Sequence, residues 1–148
     1  MQTLQPSKDV QDLMTPTPIS VSPNTPVDEA RVLMQQHRIR HLPVLDHGHL
    51  VGMVSDRDVR LALPSPATSL SVYEIGYLLT RLTVAEIMTR CPLTIAPECP
   101  ITEAVRRMLA NKVGALPVVA GGELVGIVTR TNLLQAFLLS QAELPVAA

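Results

Sequence analysis

The chain contains one sequence pattern twice. Residues 10–63 align with residues 84–137 at a constant offset of 74 positions and without a gap, and 18 of the 54 aligned positions are identical. The identities run along the whole repeat and include Met14/Met88, Pro43/Pro117 and Gly52/Gly126. A tandem duplication of this length predicts two half-domains of the same fold, related by pseudo-twofold symmetry, with a cleft between them. The positions at which the two copies differ are therefore the first candidates for function.

Composition limits the class of protein. A chain of 148 residues suits one compact domain or two small halves that share a core, because each half alone buries little apolar surface. A net charge of −1 and only three aromatic residues argue against a nucleic-acid binder and against attraction to a membrane surface. The sequence offers neither a bilayer-spanning apolar run nor a signal-peptide pattern, so we expect a cytoplasmic protein. Cys91 and Cys99 fit no zinc or redox spacing and are expected to be reduced.

The repeats divide the chain into five segments. We expect a frayed N-terminus over residues 1–8, the first repeat over 9–63, a connector over 64–83, the second repeat over 84–137 and a C-terminal tail over 138–148.

The connector is predicted to be helical. Ser71-x-x-Glu74 has the spacing of a capping box, and the apolar residues that follow predict a helix through about Arg81.

Each repeat predicts the same order of elements: a helical turn, a strand, a helix, two strands and a last helix. Asp9 is the candidate N-cap of the first helical turn, and Thr83-x-x-Glu86 predicts a capping box for its counterpart. The first strands are predicted over Ile19–Val21 and Leu93–Ile95. Hairpin turns are expected over residues 46–49 and 120–123.

The ordered motifs resemble the cystathionine-β-synthase-type (CBS) domain. The first copy supplies Met14-Thr15, residues 40–44 (RHLPV) and residues 50–58 (LVGMVSDRD). The second copy supplies Met88-Thr89, residues 114–118 (GALPV) and residues 124–129 (LVGIVT). The pair resembles a stand-alone Bateman module, and residues 73–78 (YEIGYL) resemble the connector of acetoin-utilisation-type CBS proteins.

The resemblance implies a fold and a role. The fold class would be α/β, with tandem βαββα repeats packed sheet to sheet. The clefts of such modules take adenosine-containing ligands, so AMP, ADP or ATP is expected as a regulatory ligand, and S-adenosylmethionine and NAD-type dinucleotides stay open. The resemblance also implies a disc-shaped homodimer that signals to an unidentified effector protein and carries out no chemistry.

Ser55 and Asp58 form the sharpest candidate site in the first repeat. Residue types alone favour a helix start with Ser55 as the N-cap. The resemblance adds a ligand role, since the carboxylate at this position is the family's ribose ligand and a serine hydroxyl suits a phosphate. The two interpretations are compatible, because one serine can cap a helix and face a ligand.

Basic residues cluster in the same repeat. Arg57, together with Arg40 or His41, is expected to bind phosphate, although each could also be a solvated surface residue. The adenine ring is expected to contact Ile19, Ser20, Val21, Leu42 and Pro43. The alternative for Val21 and Leu42 is plain core packing.

The second repeat predicts a weaker site, because Asn132 replaces the carboxylate and brings no charge. Its expected members are Thr94, Ala115, Leu116, Pro117, Thr129 and Asn132.

The sequence supports no catalytic centre. It contains no phosphate-binding loop, no HExxH and no GxSxG motif. His47 and His49 flank a glycine without a third ligand nearby, which favours a solvated turn over a metal site. A sensor of an adenosine ligand is thus the favoured function. The alternatives are a scaffold with an empty cleft and a small nucleic-acid binder that uses residues 38–41.

Overall fold

The computed structural model describes residues 8–63 and 69–142 of the chain, and it has the expected mixed α/β composition. Helices accompany two three-stranded sheets. In chain order the elements are a 3₁₀ turn (Val10–Asp12), β1 (Thr15–Pro16), α1 (Val27–His37), β2 (His41–Asp46), β3 (His49–Ser55), α2 (Asp56–Ala62), α3 (Val72–Arg81), α4 (Val84–Ile87), β4 (Thr89–Arg90), α5 (Ile101–Asn111), β5 (Ala115–Ala120), β6 (Glu123–Thr129) and α6 (Arg130–Ala142).

Each repeat contains an antiparallel hairpin closed by a two-residue turn. His47 and Gly48 have φ values of 49° and 82° between β2 and β3, and Gly121 and Gly122 have φ values of 58° and 80° between β5 and β6. Positive φ at both central residues is the geometry of a type I′ turn, whose twist matches that of the strands it joins. The two predicted hairpins are confirmed.

The chain forms two compact units, and the first is Ile19–Pro92, called here the repeat-1 unit. Its sheet has the order β2-β3-β4, so β4 comes from the second sequence repeat. A Cβ on Gly52 of β3 would lie 2.5 Å from Met88 Sδ and 3.0 Å from the Thr89 carbonyl oxygen, which explains why glycine stands there. The core of the unit consists of Val21, Val27, Ala30, Met34, Leu42, Val44, Val54, Val59 and Val84.

The second compact unit, the repeat-2 unit, combines the described residues up to Pro18 with the described residues from Leu93 onward. Its sheet has the order β1-β6-β5, and Thr15 of β1 lies opposite Ile127 of β6. Gly126 meets Met14 and Thr15 in the way that Gly52 meets Met88 and Thr89. The buried core consists of Val10, Ile95, Ala104, Met108, Leu116, Val118 and Val128.

Each unit therefore takes its leading segment from the other sequence repeat. The 3₁₀ turn is tied to the repeat-2 unit by the Val10 N–H, which donates to the Cys99 carbonyl at 2.9 Å. In the repeat-1 unit the Val84 N–H donates to the Thr25 carbonyl at 2.8 Å.

The strands expected over Ile19–Val21 and Leu93–Ile95 are not formed as such. Each segment makes one parallel bridge, Val21 to Val44 and Ile95 to Val118. Flanking prolines limit these pairings, since proline has no N–H to donate to a ladder. The short strands β1 and β4 were not predicted from the sequence.

The helix starts expected at Asp9, Ser71 and Thr83 agree with the structure. Asp9 is the N-cap of the 3₁₀ turn, and capping boxes begin α3 at Ser71 and α4 at Thr83. Helix α3 ends at Arg81, where the sequence placed its end. Helix α6 continues to Ala142, so residues 138–142 of the expected tail are helical, whereas residues 1–7, 64–68 and 143–148 lie outside the described part.

Candidate functional site

The predicted ribose and phosphate residues lie at the junction of β3 and α2. Ser55 is the last residue of β3 and the N-cap of α2, and His41 at the start of β2 lies opposite it in the ladder. The hairpin turn at residues 47–48 is at the other end of the same two strands. One end of the hairpin thus brings together Ser55, Asp58 and His41, with Arg40 and Arg57 adjacent in the chain.

Ser55 and Asp58 bond reciprocally. The Ser55 N–H donates to Asp58 Oδ2 at 2.8 Å, and the Asp58 N–H donates to Ser55 Oγ at 3.1 Å. The helix-cap interpretation of these two residues is confirmed. The cap uses one carboxylate oxygen, and no described residue donates to Asp58 Oδ1. A half-buried carboxylate with a free acceptor can receive hydrogen bonds from ligand hydroxyl groups.

The two candidate arginines of this end have exposed side chains. Arg40 and Arg57 take part in none of the ion pairs among the described residues. The Arg40 carbonyl accepts the Asp56 N–H at 2.9 Å, which fixes the backbone that carries this arginine beside the start of α2. Such guanidinium groups are suited to phosphate oxygens.

The predicted adenine residues divide into a buried and an accessible set. Leu42 is 0% exposed and Val21 is 7% exposed, and both belong to the core of the repeat-1 unit. Pro43, next to Leu42 in β2, is also fully buried. The Val21 N–H donates to the Pro43 carbonyl and the Val21 carbonyl accepts from Leu45, so this backbone is already paired with β2. Ile19 is half-buried and Ser20 is exposed, so these two remain accessible to a ligand.

The second repeat has the same backbone junction with different polar groups. Thr129 ends β6 opposite Ala115, and the Arg130 N–H donates to the Gly114 carbonyl at 3.1 Å. Asn132 Oδ1 accepts the Thr129 N–H at 2.8 Å and the Thr129 hydroxyl at 2.9 Å. Both acceptor positions of this amide oxygen are therefore used within the protein.

Three other predicted members of the second site are core residues. Leu116 is 0% exposed, Pro117 is buried beside it, and Ala115 is 7% exposed.

A contact at Thr94 was missed by the sequence reasoning. Arg107 of α5 donates from Nη1 to the Thr94 carbonyl at 3.1 Å, and its Nε donates to Glu103 at 3.2 Å. The aligned residues of the first repeat are Leu33 and Ser20, so a leucine takes the place of the guanidinium. That difference between the copies was the available signal in the sequence.

The described part of the chain forms neither a metal cluster nor a membrane-spanning helix. Residues 8–63 and 69–142 bring no three His, Cys, Asp or Glu side chains into a metal-binding cluster. No helix within these ranges is long and apolar enough to cross a membrane. Both cysteines are free, with Cys91 exposed and Cys99 half-buried.

Comparison with known proteins identifies relatives of similar length. The sequence matches the CBS domain family over residues 10–65 and again over residues 84–139. A CBS domain-containing protein of Dictyostelium discoideum is 36% identical over 127 residues, which cover 84% of this chain and 88% of the relative. An inosine-5'-monophosphate dehydrogenase of Korarchaeum cryptofilum is 44% identical over 112 residues, but these are only 20% of that enzyme.

Solved structures with the same fold include complexes with small molecules. CBSX2 in complex with AMP has a TM-score of 0.73 at 34% identity, covering 90% of this chain and 98% of that one. The CBS domain pair of protein MJ0100, in complex with 5'-methylthioadenosine and S-adenosyl-L-methionine, has a TM-score of 0.76 at 28% identity and covers 91% and 99%.

The acetoin-utilisation resemblance is also confirmed. AcuB from Vibrio cholerae has a TM-score of 0.73 at 30% identity, over 93% of this chain and 98% of that one. Together with the two matched repeats, these likenesses establish that the chain belongs to the CBS domain family and carries a pair of CBS repeats.

Proposed function

We propose that this protein is a non-catalytic regulatory module that senses an adenosine-containing ligand, with AMP, ADP or ATP as the leading candidates. The observation that carries the proposal is that no described residue donates to Asp58 Oδ1. The helix cap holds this side chain at the end of a hairpin through its other oxygen, 2.8 Å from the Ser55 N–H. A carboxylate fixed in this way can accept hydrogen bonds from the two hydroxyl groups of a ribose.

The neighbouring residues supply the other contacts of a nucleotide. Arg57 and Arg40 or His41 bind the phosphate, with Ser55 contributing its hydroxyl group. Ile19 and Ser20 contact the adenine ring, while the buried Val21, Leu42 and Pro43 form the packed support beneath them.

Ligands found in related structures support the ligand class. CBSX2 was solved with AMP, and the MJ0100 pair with 5'-methylthioadenosine and S-adenosyl-L-methionine. The adenosyl group is the part that these three molecules share. The phosphate-binding arginines favour a nucleotide over a neutral adenosine derivative in this chain.

The role is regulation by differential binding. A ligand changes a conformational equilibrium only by the difference in its affinity for the two states, so the adenosine ligand would favour one arrangement that an effector protein recognises. A scaffold that binds no nucleotide is the main alternative. Nucleic-acid binding by residues 38–41 is disfavoured by the net charge of −1.

A homodimer and an effector complete the proposal. Large apolar side chains are exposed on α5 and α6, among them Leu109 at 74%, Leu134 at 64% and Phe137 at 59%. Tyr73 of α3 is 90% exposed. Aromatic residues are enriched in protein interfaces, so these helices are candidates for contact with a second copy or an effector. Light scattering that finds only monomer at every concentration would contradict the dimer.

Thermal unfolding with a ligand panel tests the function. The panel contains AMP, ADP, ATP, S-adenosylmethionine and NADH, applied to the wild type and to Asp58→Ala. A ligand at 100 times its Kd should add about 2.7 kcal/mol, which corresponds to about 5–10 °C in Tm for a domain of this size. If the protein is a sensor, at least one ligand should raise the Tm of the wild type, and Asp58→Ala should lose that increase. If no ligand raises the Tm, the alternative of a scaffold that binds no nucleotide is favoured.

A further inference from the structure

The two β–α junctions present opposite hydrogen-bonding groups to a ligand. In the first repeat, Asp58 uses Oδ2 for the Ser55 N–H and leaves Oδ1 as an acceptor. In the second repeat, the orientation of the Asn132 amide is decided by the Thr129 N–H, because only an oxygen can face this donor at 2.8 Å. The Thr129 hydroxyl also donates to that oxygen, and no described residue accepts from Nδ2. Asn132 therefore offers two donors and no acceptor.

The backbone carbonyl at Thr94, aligned with the proposed adenine contact Ser20, changes in the same direction. In the second repeat the Thr94 carbonyl already accepts from Arg107 Nη1 at 3.1 Å, so a guanidinium replaces a free acceptor there. In the first repeat the residue aligned with Arg107 is Leu33, which cannot donate to the Ser20 carbonyl. Glu103 accepts a hydrogen bond from Arg107 Nε at 3.2 Å and thereby orients the guanidinium. Among the described residues, other N–H groups of this guanidinium remain available to a ligand.

Charge follows the same pattern at the start of the last helix of each repeat. The first repeat has Asp56-Arg57-Asp58, with two carboxylates and one guanidinium. The second repeat has Arg130-Thr131-Asn132, with one guanidinium and no carboxylate. A phosphate on the sugar would be repelled by Asp58 but could accept from Asn132.

We infer that the second repeat binds a different ligand class from the first: a nucleotide whose ribose carries a phosphate at the 2′ or 3′ position in place of a free diol. This inference rests on the proposed function, since it assumes that both junctions face a nucleotide sugar. The protein then distinguishes two phosphorylation states of the ribose with the two copies of one motif.

Calorimetric titration in an Asp58→Ala background isolates the second site. The probes are adenosine 3′,5′-bisphosphate, AMP and inorganic phosphate, and the matched variant adds Asn132→Asp, which restores the residue of the first repeat. We expect the bisphosphate to bind Asp58→Ala at least ten-fold more tightly than AMP. The added Asn132→Asp should reverse that order, with circular dichroism confirming the fold.

Three results would overturn the inference. The first is that AMP binds Asp58→Ala as tightly as the bisphosphate does. The second is that the preference for the bisphosphate over AMP stays the same when Asn132→Asp is added. The third is inorganic phosphate binding as tightly as the bisphosphate, which would indicate a general anion site. Failure of the proposed function can be distinguished from failure of this inference, because only the former predicts that AMP does not bind the wild-type protein.

Discussion

The repeat-1 and repeat-2 units share their backbone geometry and differ in their polar groups. The residues with positive φ occur in pairs 74 positions apart: Thr17 and Cys91, Arg38 and Lys112, His47 and Gly121, Gly48 and Gly122. The φ values within a pair differ by at most 9°, as for His47 at 49° and Gly121 at 58°. Backbone geometry is thus repeated even where the residue types are not.

The side chains at the two β–α junctions have diverged instead. Asp58 and Asn132 occupy the same position and make the same bond to the preceding backbone N–H, at 2.8 Å in both units. The bond that the fold needs has been kept, and the atom left over for a ligand has changed from an acceptor to a donor. At this residue the bond that caps the helix can be kept while the group left for a ligand changes.

Cavity-forming substitutions test the equivalence of the two cores and should have the largest effect. Leu42 and Leu116 are aligned and both are 0% exposed. Replacing either by alanine should lower the free energy of unfolding by about 2–5 kcal/mol, measured by urea denaturation. Leu61→Ala, at a position that is 74% exposed, should change it by less than about 0.5 kcal/mol. A large loss at only one of the two leucines would break the equivalence.

Filling the space above the strand glycines should have the next largest effect. A Cβ on Gly52 would meet Met88 and the Thr89 carbonyl, and one on Gly126 would meet Met14 and the Thr15 carbonyl. Each alanine substitution should lower the free energy of unfolding by about 1–3 kcal/mol, measured by urea denaturation. Gly76→Ala in α3 is the control, since nothing lies within 4 Å of its Cβ and a helical alanine should be neutral or stabilising. Wild-type stability of Gly52→Ala would refute the close packing.

Removing the caps of α2 and α6 should cost less. Ser55→Ala deletes the acceptor of the Asp58 N–H, and Thr129→Ala deletes the acceptor of the Asn132 N–H. We expect each substitution to lower the free energy of unfolding by about 0.5–2 kcal/mol, measured by thermal unfolding. Ser140→Ala removes an exposed hydroxyl near the end of α6 and should leave Tm nearly unchanged. Equal Tm values for all three variants would contradict the role of the caps.

The smallest effect is expected at the hairpin tip. His47→Gly gives the first turn the residue that Gly121 supplies in the second, which relieves a side chain at φ 49°. Glycine also increases the entropy of the unfolded chain, and the exposed contact of His47 with Asp46 is lost. Because these effects oppose each other, the free energy of unfolding should change by less than about 0.5 kcal/mol, measured by differential scanning calorimetry. A decrease of more than about 1 kcal/mol would show that the two turns are not equivalent.

Local sequence signals predicted much of the fold. The hairpin turns and the capping boxes at Ser55, Ser71 and Thr83 depend on residues two or three positions apart, so their patterns are readable without tertiary information. The gap-free offset likewise revealed the duplication.

Features that depend on distant partners were not predictable in this way. Strand β1 has two residues and exists only because β6, far along the chain, pairs with it. Arg107 reaches Thr94 across 13 positions through the packing of α5, which no local pattern encodes. The offset also cannot tell which unit receives each leading segment, because both copies keep the Val, Met, Thr and Pro of that segment at the same spacing.

We propose above that Asp58 holds an adenosine ligand, and isothermal titration calorimetry with AMP measures that binding. The matched variants are Asp58→Ala and Asp46→Ala, which removes a carboxylate from the opposite end of the same hairpin. We expect saturable AMP binding to the wild type and to Asp46→Ala, and at least a ten-fold loss of affinity in Asp58→Ala. Equal AMP affinity in the two variants, or no binding to the wild type, would contradict it.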